Sequence, residues 1–364
     1  MRKEGGFTLI EIITILAIFI VLLGLSAAAY MTFRDDMQVR GVAAQVRGMI
    51  QAAHNSAVAE QQKTFIVEEN TFRGESFVLS RVVGFGMQTV GRWNLDDEVN
   101  IADDGVSHGY GGNVNVGGME LVTGRTGTAV KIDGSSLSVP NTQELFTPRD
   151  GVSGSMWVKF ERSDVTSSRV EDCSLMECGE AYRFFVQEGR LALTIQGNTI
   201  LSESASGAPY HLIPDRWVHL SFSYDVYTSE MAIFVDKVKR ASAGVDLPEG
   251  LPLEQSDLML VSGLMGVVDD IELRGVLSSS EFELPGALAM NVPKELAGSV
   301  PYIRSYERGE LTIYIKITAF DEKGWLDNIN GNSANLSFYN VSAPGASEFS
   351  RNFRINSQGL LEVR

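Results

Sequence analysis

Cysteine is nearly absent from this chain: two residues in 364, Cys173 and Cys178. That scarcity excludes a disulfide-dense scaffold. Histidine is almost as rare, and His54, His108, His211 and His219 form no spaced pair that would complete a zinc site with the cysteines of "CSLMEC". In an exported protein these two cysteines read as one small-loop disulfide, with two free thiols as the alternative. Positive charge is in deficit, 30 Lys and Arg against 46 Asp and Glu, for a net charge of −16. A body so acidic repels nucleic acid and anionic membrane surfaces. No proline precedes Pro140, so nothing interrupts a long N-terminal helix. Catalytic signatures are missing too: there is no Gly-x-Ser-x-Gly elbow, no HExxH and no cysteine–histidine pairing with local context. The GxG of "GFGMQTVG" has no strand–loop–helix unit around it and no lysine after it, so it reads as a turn.

Charge of either sign is also missing from Ile12 to Phe33. A helix of that length, at ~1.5 Å per residue, reaches across a bilayer core of ~30 Å. One carboxylate, Glu11, stands at its mouth, where it is costly unless paired. An ordinary secretory signal puts its small-residue junction after the apolar run. Here the good junction, Gly6–Phe7, lies before it, so cleavage would leave the helix attached.

The stretch "KEGGFTLIEIITILAIFIVLLGLSA" resembles the class III signal of type IV prepilins and type II secretion pseudopilins. The resemblance implies that a prepilin peptidase cuts after Gly6 and N-methylates Phe7. It also implies that Glu11 pairs with the terminal amine of a neighbouring Phe7 when helices bundle, setting register. Beyond the span, Val39, Val42, Val46, Met49, Ile50, Ala53 and Ala57 recur at spacings of three and four. The helix is therefore expected from about Thr8 to about Gln62, its second half laying an apolar stripe on a small sheet. "AAQVRGMIQAAHNSAVAEQQKTFIVEE" resembles the helix-to-strand passage of GspH/FimT-type minor pilins. Phe320, Asp321 and Gly324, then Gly359 through Val363, resemble that family's closing turn and hairpin.

At 364 residues the chain has room for two or three domains. From Thr64 the apolar period becomes strand-like, and residues 105–118 form a glycine-rich junction. Alternating runs such as "GSMWVKFERS", "RWVHLSFSYD" and "MAIFVD" then predict a β-sandwich, and the jelly roll that their order resembles implies that Trp157, and with it Trp217, points inward. Their order, ending in "VDDIELRGVLSSSEF", resembles the LamG-like, concanavalin A-type jelly roll, except that Lys237 stands where such domains often have a turn glycine. The expected fold class is α+β: a long N-terminal pilin helix packed on a small antiparallel sheet, plus an all-β jelly-roll sandwich. The expected division is a leader peptide (1–6), a pilin helix (7–62, membrane or filament core 7–33), and the first part of the pilin β domain (63–110). A junction (111–118), the jelly roll (119–284) and a C-terminal segment completing the pilin sheet (285–364) follow.

Asp270 and Glu272, two apart on a strand, face the same way and resemble part of a glycosidase carboxylate pair. Leu273, Arg274 and Gly275 follow where the related enzymes carry a third acid, so no enzyme is expected. The resemblance instead implies binding of a glycan or protein through loops at one rim, with calcium as the one cofactor it allows. Asp133, Asp150, Asp164, Asp269 and Asp270 are the acids available for calcium, but nothing in their spacing picks a set, and turn and solubility roles are the preferred account of them. Tyr182, Tyr210 and Tyr227 are candidates for stacking on a sugar ring. The expected protein is a minor pilin or pseudopilin of a type IV pilus or type II secretion system. It would be held in the inner membrane before assembly into a pilus or pseudopilus, periplasmic or at the cell surface. Its partners would be other pilins, the prepilin peptidase and an extracellular ligand, without nucleic acid. The alternative is a membrane-anchored, non-polymerising adhesin or carbohydrate-active protein using a prepilin-like anchor.

Overall fold

The computed structural model describes residues 9–60, 63–95, 120–139, 146–162, 169–247, 250–254, 256–285, 288–297, 299–300, 302–321, 323, 325–327, 333–340, 351–358 and 360–363. It opens with a 52-residue helix, α1 (Leu9–Glu60). A hairpin follows, β1 (Thr64–Arg73) and β2 (Ser76–Trp93), turned at Gly74 with φ +57°. Next come β3 (Glu120–Thr123), β4 (Thr128–Asp133), β5 (Ser136–Val139), β6 (Gly151–Phe160), β7 (Cys173–Cys178), β8 (Tyr182–Gln187), β9 (Arg190–Ile195) and β10 (Asn198–Leu201). The series continues with β11 (Trp217–Asp225), β12 (Glu230–Val235), β13 (Val238–Gly244), β14 (Leu258–Ser262) and β15 (Met265–Glu283). The chain closes with β16 (Leu288–Met290), β17 (Ile303–Arg308), β18 (Leu311–Phe320), β19 (Ser333–Asn340), β20 (Arg351–Asn356) and β21 (Leu361–Val363).

These strands make three sheets. The six-stranded one runs β10-β9-β8-β7-β14-β5. It faces part of an eleven-stranded sheet whose main order is β13-β12-β11-β6-β15-β2-β1-β18-β17, with β3 and β4 attached at one end of β15. A small sheet, β16-β19-β20-β21, completes the set. The expectation of a small pilin sheet beside a separate jelly roll is corrected by this topology. The physical reason is the length of β15. Its first part pairs with β4 and β6, and Ile271–Glu283 pairs with β2, so one strand belongs to both halves. Irregularities in its pairing fall between Asp269 and Glu272, Leu273 and Arg274, and Ser278 and Ser280. Such bulges bend a strand and raise its twist.

The jelly-roll core lies between the six-stranded sheet and the β11-β6-β15 part of the large one. On β6 every second residue enters it: Val152, Gly154, Met156, Val158 and Phe160 are buried. Trp157 takes the opposite phase, and Trp217 does the same on β11, so both indoles lie on the outer face. This corrects the inward placement; the fully buried tryptophan is Trp93. In the β12–β13 turn Asp236 and Lys237 both adopt positive φ, 51° and 64°. That is the conformation a two-residue hairpin asks of its centre, and glycine takes it with less strain than lysine.

The second half is built on β1, which pairs with β2 on one side and β18 on the other. The C-terminal part of α1 packs Val39, Val42, Val46, Ile50, Ala53 and Ala57 against Ile66, Leu336 and Phe353, the stripe that the three-and-four spacing predicts. Thr64 Oγ1 donates to the Ala53 carbonyl at 2.8 Å, tying strand to helix. Towards the N-terminus the described apolar side chains of α1 are exposed, from 47% at Ile12 to 76% at Leu9. Among the described residues no helix is long and apolar enough to cross a membrane; the continuous described side chains of this apolar half end at Ser26.

Beneath the helix-packed face lies a buried ion pair. Lys316 Nζ meets Glu68 Oε1 at 2.9 Å and also donates to the Asn335 carbonyl. Burial pushes Glu68 up to about 7, with Lys316 opposing part of the effect. Between about pH 4.5 and 7 the folded chain therefore holds a proton that the unfolded chain has released, and stability falls as pH rises through that window. Urea denaturation of the wild type should show a loss of about 3 kcal/mol or less across the window. Glu68→Gln should flatten that slope; an unchanged slope would show that Glu68 is not its source.

Candidate ligand-binding faces of the jelly roll

Two surfaces of the jelly roll carry concentrated chemistry. The first surrounds the bulge of β15. There Asp269 lies opposite Trp157, and Trp157 lies opposite His219, so the three occupy one rung of the outer face. After the bulge, Glu272 lies opposite Ser155, two residues from Trp157 on β6. The bulge thus shifts the phase of the strand: Asp269, not Asp270, shares a face with Glu272. Asp270 is the residue that absorbs the distortion, with φ +47°, and its nearest cation is Arg92 at 3.9 Å.

The β3–β4 turn closes over this rung. Asp269 Oδ2 accepts the backbone N–H groups of Arg125 (2.9 Å) and Thr126 (3.3 Å). A Cβ at residue 124 would lie 2.7 Å from Asp269 Oδ2 and 2.7 Å from the Thr128 carbonyl, which is why Gly124 stands there. The Arg125 guanidinium sits 3.4 Å above the Trp157 ring, and His219 meets the same ring at 5.0 Å, near edge-on. Burial raises the Asp269 carboxyl above its usual range, opposed by the two backbone N–H groups. Burial lowers His219, with Lys237 adding to the effect. Glu272 Oε1 accepts from Thr89 Oγ1 at 3.0 Å and Arg274 Nε at 2.8 Å. Each acid is therefore occupied in holding structure: Asp269 the turn, Glu272 the β15–β2 junction.

The second surface is a groove of about 690 Å³ across the outer face of β7, β8 and β14. Phe185 is half-buried in it, between Arg183 and Gln187 on β8. Arg183 packs 4.7 Å from the centre of the Phe185 ring and reaches Glu177 Oε2 at 3.1 Å, which also accepts from Ser174 Oγ at 3.0 Å. An apolar ring flanked by fixed donors and acceptors suits a ligand with one apolar face and a polar edge.

Of the residues singled out from sequence, Trp157, Asp269, Asp270 and Glu272 stand at the first surface and Cys173 lines the second. Gly6 and Phe7 lie outside the described residues, and Glu11 is placed on α1 with its side chain outside them. The expected Cys173–Cys178 disulfide is corrected: both thiols are free and buried. They stand at opposite ends of β7, opposite Val186 and Tyr182. Five strand steps separate their Cα atoms by about 16 Å, whereas a disulfide needs about 4.4–6.8 Å. Burial and neighbouring acids push both thiols up to about 12. Asp133 ends β4, Asp150 lies beside Tyr227, and Asp269 is tied down as above. Asp164 is outside the described residues, among which no three metal-binding side chains stand together. Tyr182 is buried and donates to the Phe146 carbonyl, and Tyr227 is buried against Phe65 and Phe85. Tyr210 is half-buried, with Arg240 4.1 Å from its ring. Phe185 and Arg125 were not singled out. The "YRFFVQ" alternation held a signal for Phe185, but adjacent phenylalanines leave its phase open.

Residues 132–263 match the model of the concanavalin A-like lectin/glucanases superfamily, and that span is a concanavalin A-like jelly-roll domain. Curated protein sequences give no match. Among solved structures, the binding domain of Paraclostridial Mosquitocidal Protein 1 is similar at 13% identity and TM-score 0.40, covering 52% of this chain and 49% of that one. Domain 4 of AbnA, a GH43 extracellular arabinanase from Geobacillus stearothermophilus in complex with arabinotriose, gives 16% and 0.35, covering 52% and 94%. The Botulinum neurotoxin serotype D ligand binding domain in complex with N-acetylneuraminic acid gives 13% and 0.39, covering 52% and 48%. The matches thus span about half the length of the toxin domains.

Asp269→Ala leaves two backbone N–H groups without their acceptor, at ~1–3 kcal/mol for each such group when buried. Urea denaturation should show a loss of about 2 kcal/mol, with altered tryptophan fluorescence as Arg125 leaves Trp157. An unperturbed fluorescence and midpoint would mean that Asp269 does not hold the turn. Maleimide should label Cys173 and Cys178 only in denaturant, and reductant should leave the melting temperature unchanged. A reductant-dependent melt would restore the disulfide.

Proposed function

We propose that this chain is a minor pilin or pseudopilin subunit of a type IV pilus or type II secretion system that displays its jelly roll as a saccharide-binding module. The observation that carries the reading is the division of α1. Its C-terminal part spends its apolar stripe on the sheet, while the described side chains from Leu9 to Leu25, Thr14 apart, are apolar and exposed. With the "GGFTLIE" motif ahead of it, that exposed part is suited first to the inner membrane and then to a bundle of like helices. In the bundle, Glu11 pairs with the amine of a neighbouring Phe7. The lectin-type jelly roll and the Phe185 groove support saccharide binding without catalysis. The partners in this reading are other pilins, the prepilin peptidase that cuts after Gly6, and an extracellular glycan.

Intact-mass measurement of membrane-extracted protein should show loss of residues 1–6 and gain of one methyl at Phe7. In the same cells, Glu11→Ala should leave the level of folded protein unchanged and lower its recovery in sheared filaments at least several-fold, because an unpaired buried charge costs ~3–5 kcal/mol. An uncut Met1 in the presence of active peptidase, or full recovery of the variant, would count against the reading.

A further inference from the structure

A second cavity, of about 250 Å³, opens where the jelly roll meets the helix-packed half of the large sheet. Its floor comes from β1, β2, β15 and β17, and its wall from the turn after β11 and the loop before β6. Arg81 lines it, donating from Nη2 to Glu69 Oε2 and from Nη1 to Glu281 Oε1, each at 2.8 Å. Its Nε is buried with no partner among the described residues. Opposite, the Tyr227 hydroxyl bonds to the Asp150 carboxylate. Tyr306 lies close to Glu69, Arg81, Arg149 and Asp150, and burial with the nearby Glu69 raises its hydroxyl to about 12, so it stays a donor at neutral pH. Arg308 stands exposed on the rim.

Three properties of this cleft limit what it can take. Its arginines (Arg81, Arg149, Arg308) and its acids (Glu69, Asp150, Glu281) balance, so the site selects neither an anion nor a cation. Donors and acceptors alternate at short intervals, and Tyr306, Tyr227 and Phe85 add aromatic carbon surface. The volume falls below the ~300–1,000 Å³ of drug-sized pockets, which sets the occupant at about one ring. Most of the polar groups stand on paired strands, so the site is largely pre-formed.

We infer that this junction cleft binds one neutral sugar ring, whose hydroxyls receive hydrogen bonds from Arg81, Arg308 and Tyr306 and give them to the Glu69 and Glu281 carboxylates. The inference goes beyond the saccharide reading of the Phe185 groove, because much of the cleft lies outside the jelly roll. One full set of hydroxyl contacts is available only while both halves are assembled.

Titration calorimetry of the full chain in detergent, against methyl glycosides of neutral hexoses, N-acetylhexosamines and uronic acids, tests it. The expected result is two classes of site. Arg308→Ala and Tyr306→Phe, which keep the wild-type melt, should each weaken one class at least tenfold for the neutral glycosides. Phe185→Ala should weaken the other. If Arg308→Ala and Tyr306→Phe leave every isotherm unchanged while Phe185→Ala removes binding, the cleft is overturned and the groove stands. If uronic acids bind the cleft in preference, its neutral selectivity is overturned. If no glycoside binds, the cleft inference and the saccharide reading both fall.

Discussion

Strand β15 is paired on both edges, and each hydrophobic cluster of the molecule takes residues from it. Val268, Ile271 and Leu273 belong to the jelly-roll core. Val276 belongs to the cluster between the two halves, and Phe282 packs on the cluster beneath α1. Side chains alternate across a strand, so its two faces can serve different cores: Leu273 enters the jelly-roll core and Val276 the cluster on the other face. Extra residues on β15 between Asp269 and Glu272 and between Ser278 and Ser280 re-aim those faces along its length. Glycines supply room at the crossings: a side chain at Gly275 would collide with Pro148, and one at Gly91 with the Trp93 ring. The two halves are therefore one hydrogen-bonded object, and a perturbation of the middle of β15 reaches both.

A second set of contacts fixes the halves across the face opposite α1. Tyr227, in the turn after β11, packs between Phe65 and Phe85 at 5.0 Å from each ring. Arg304 of β17 donates to the carbonyls of Val226 and Tyr227 and to Ser229 Oγ, and lies 3.5 Å from Asp246. Its side chain is only 16% exposed. A guanidinium engaged by several acceptors at that burial is a stronger tie than an exposed ion pair. Lys63, just after α1, reaches Asp327 at 3.1 Å and Glu230 of the jelly roll at 3.9 Å. The jelly roll thus holds a set orientation relative to the helix instead of swinging on a tether.

Much of this was legible in the sequence wherever one element carries its own period. The buried stripe of α1 follows from the spacing of Val39, Val42, Val46, Ile50, Ala53 and Ala57. The jelly-roll strands follow from alternation and turns. What was not legible depends on partners. "VDDIELRGVLSSSEF" reads as one closing strand, and nothing local says that it has neighbours on both edges. A bulge leaves the residue types unchanged, so the two-apart rule chose Asp270 with Glu272, whereas the pairing joins Asp269 with Glu272. The inward placement of Trp157 comes from the jelly-roll resemblance. The phase of Val152, Met156, Val158 and Phe160 already put residue 157 on the other face. The disulfide expected of "CSLMEC" rests on the nearness of two cysteines in sequence, yet as an extended strand the segment carries them apart.

The two ends of α1 differ in what surrounds them. The C-terminal stripe has its environment supplied by the chain: the sheet below it and β19 and β20 beside it. The N-terminal part has no such cover among the described residues, although Leu9, Ile10, Ile13, Phe19 and Leu25 all expose more than half of their surface. At ~25 cal/mol per Å² of apolar area, a run of such side chains left in water is unfavourable by far more than one hydrogen bond can offset. An apolar surrounding would remove that cost. Because the C-terminal part is locked to the sheet, and the sheet to the jelly roll through β15, Tyr227 and Arg304, whatever holds the exposed end also sets the direction in which both binding faces point.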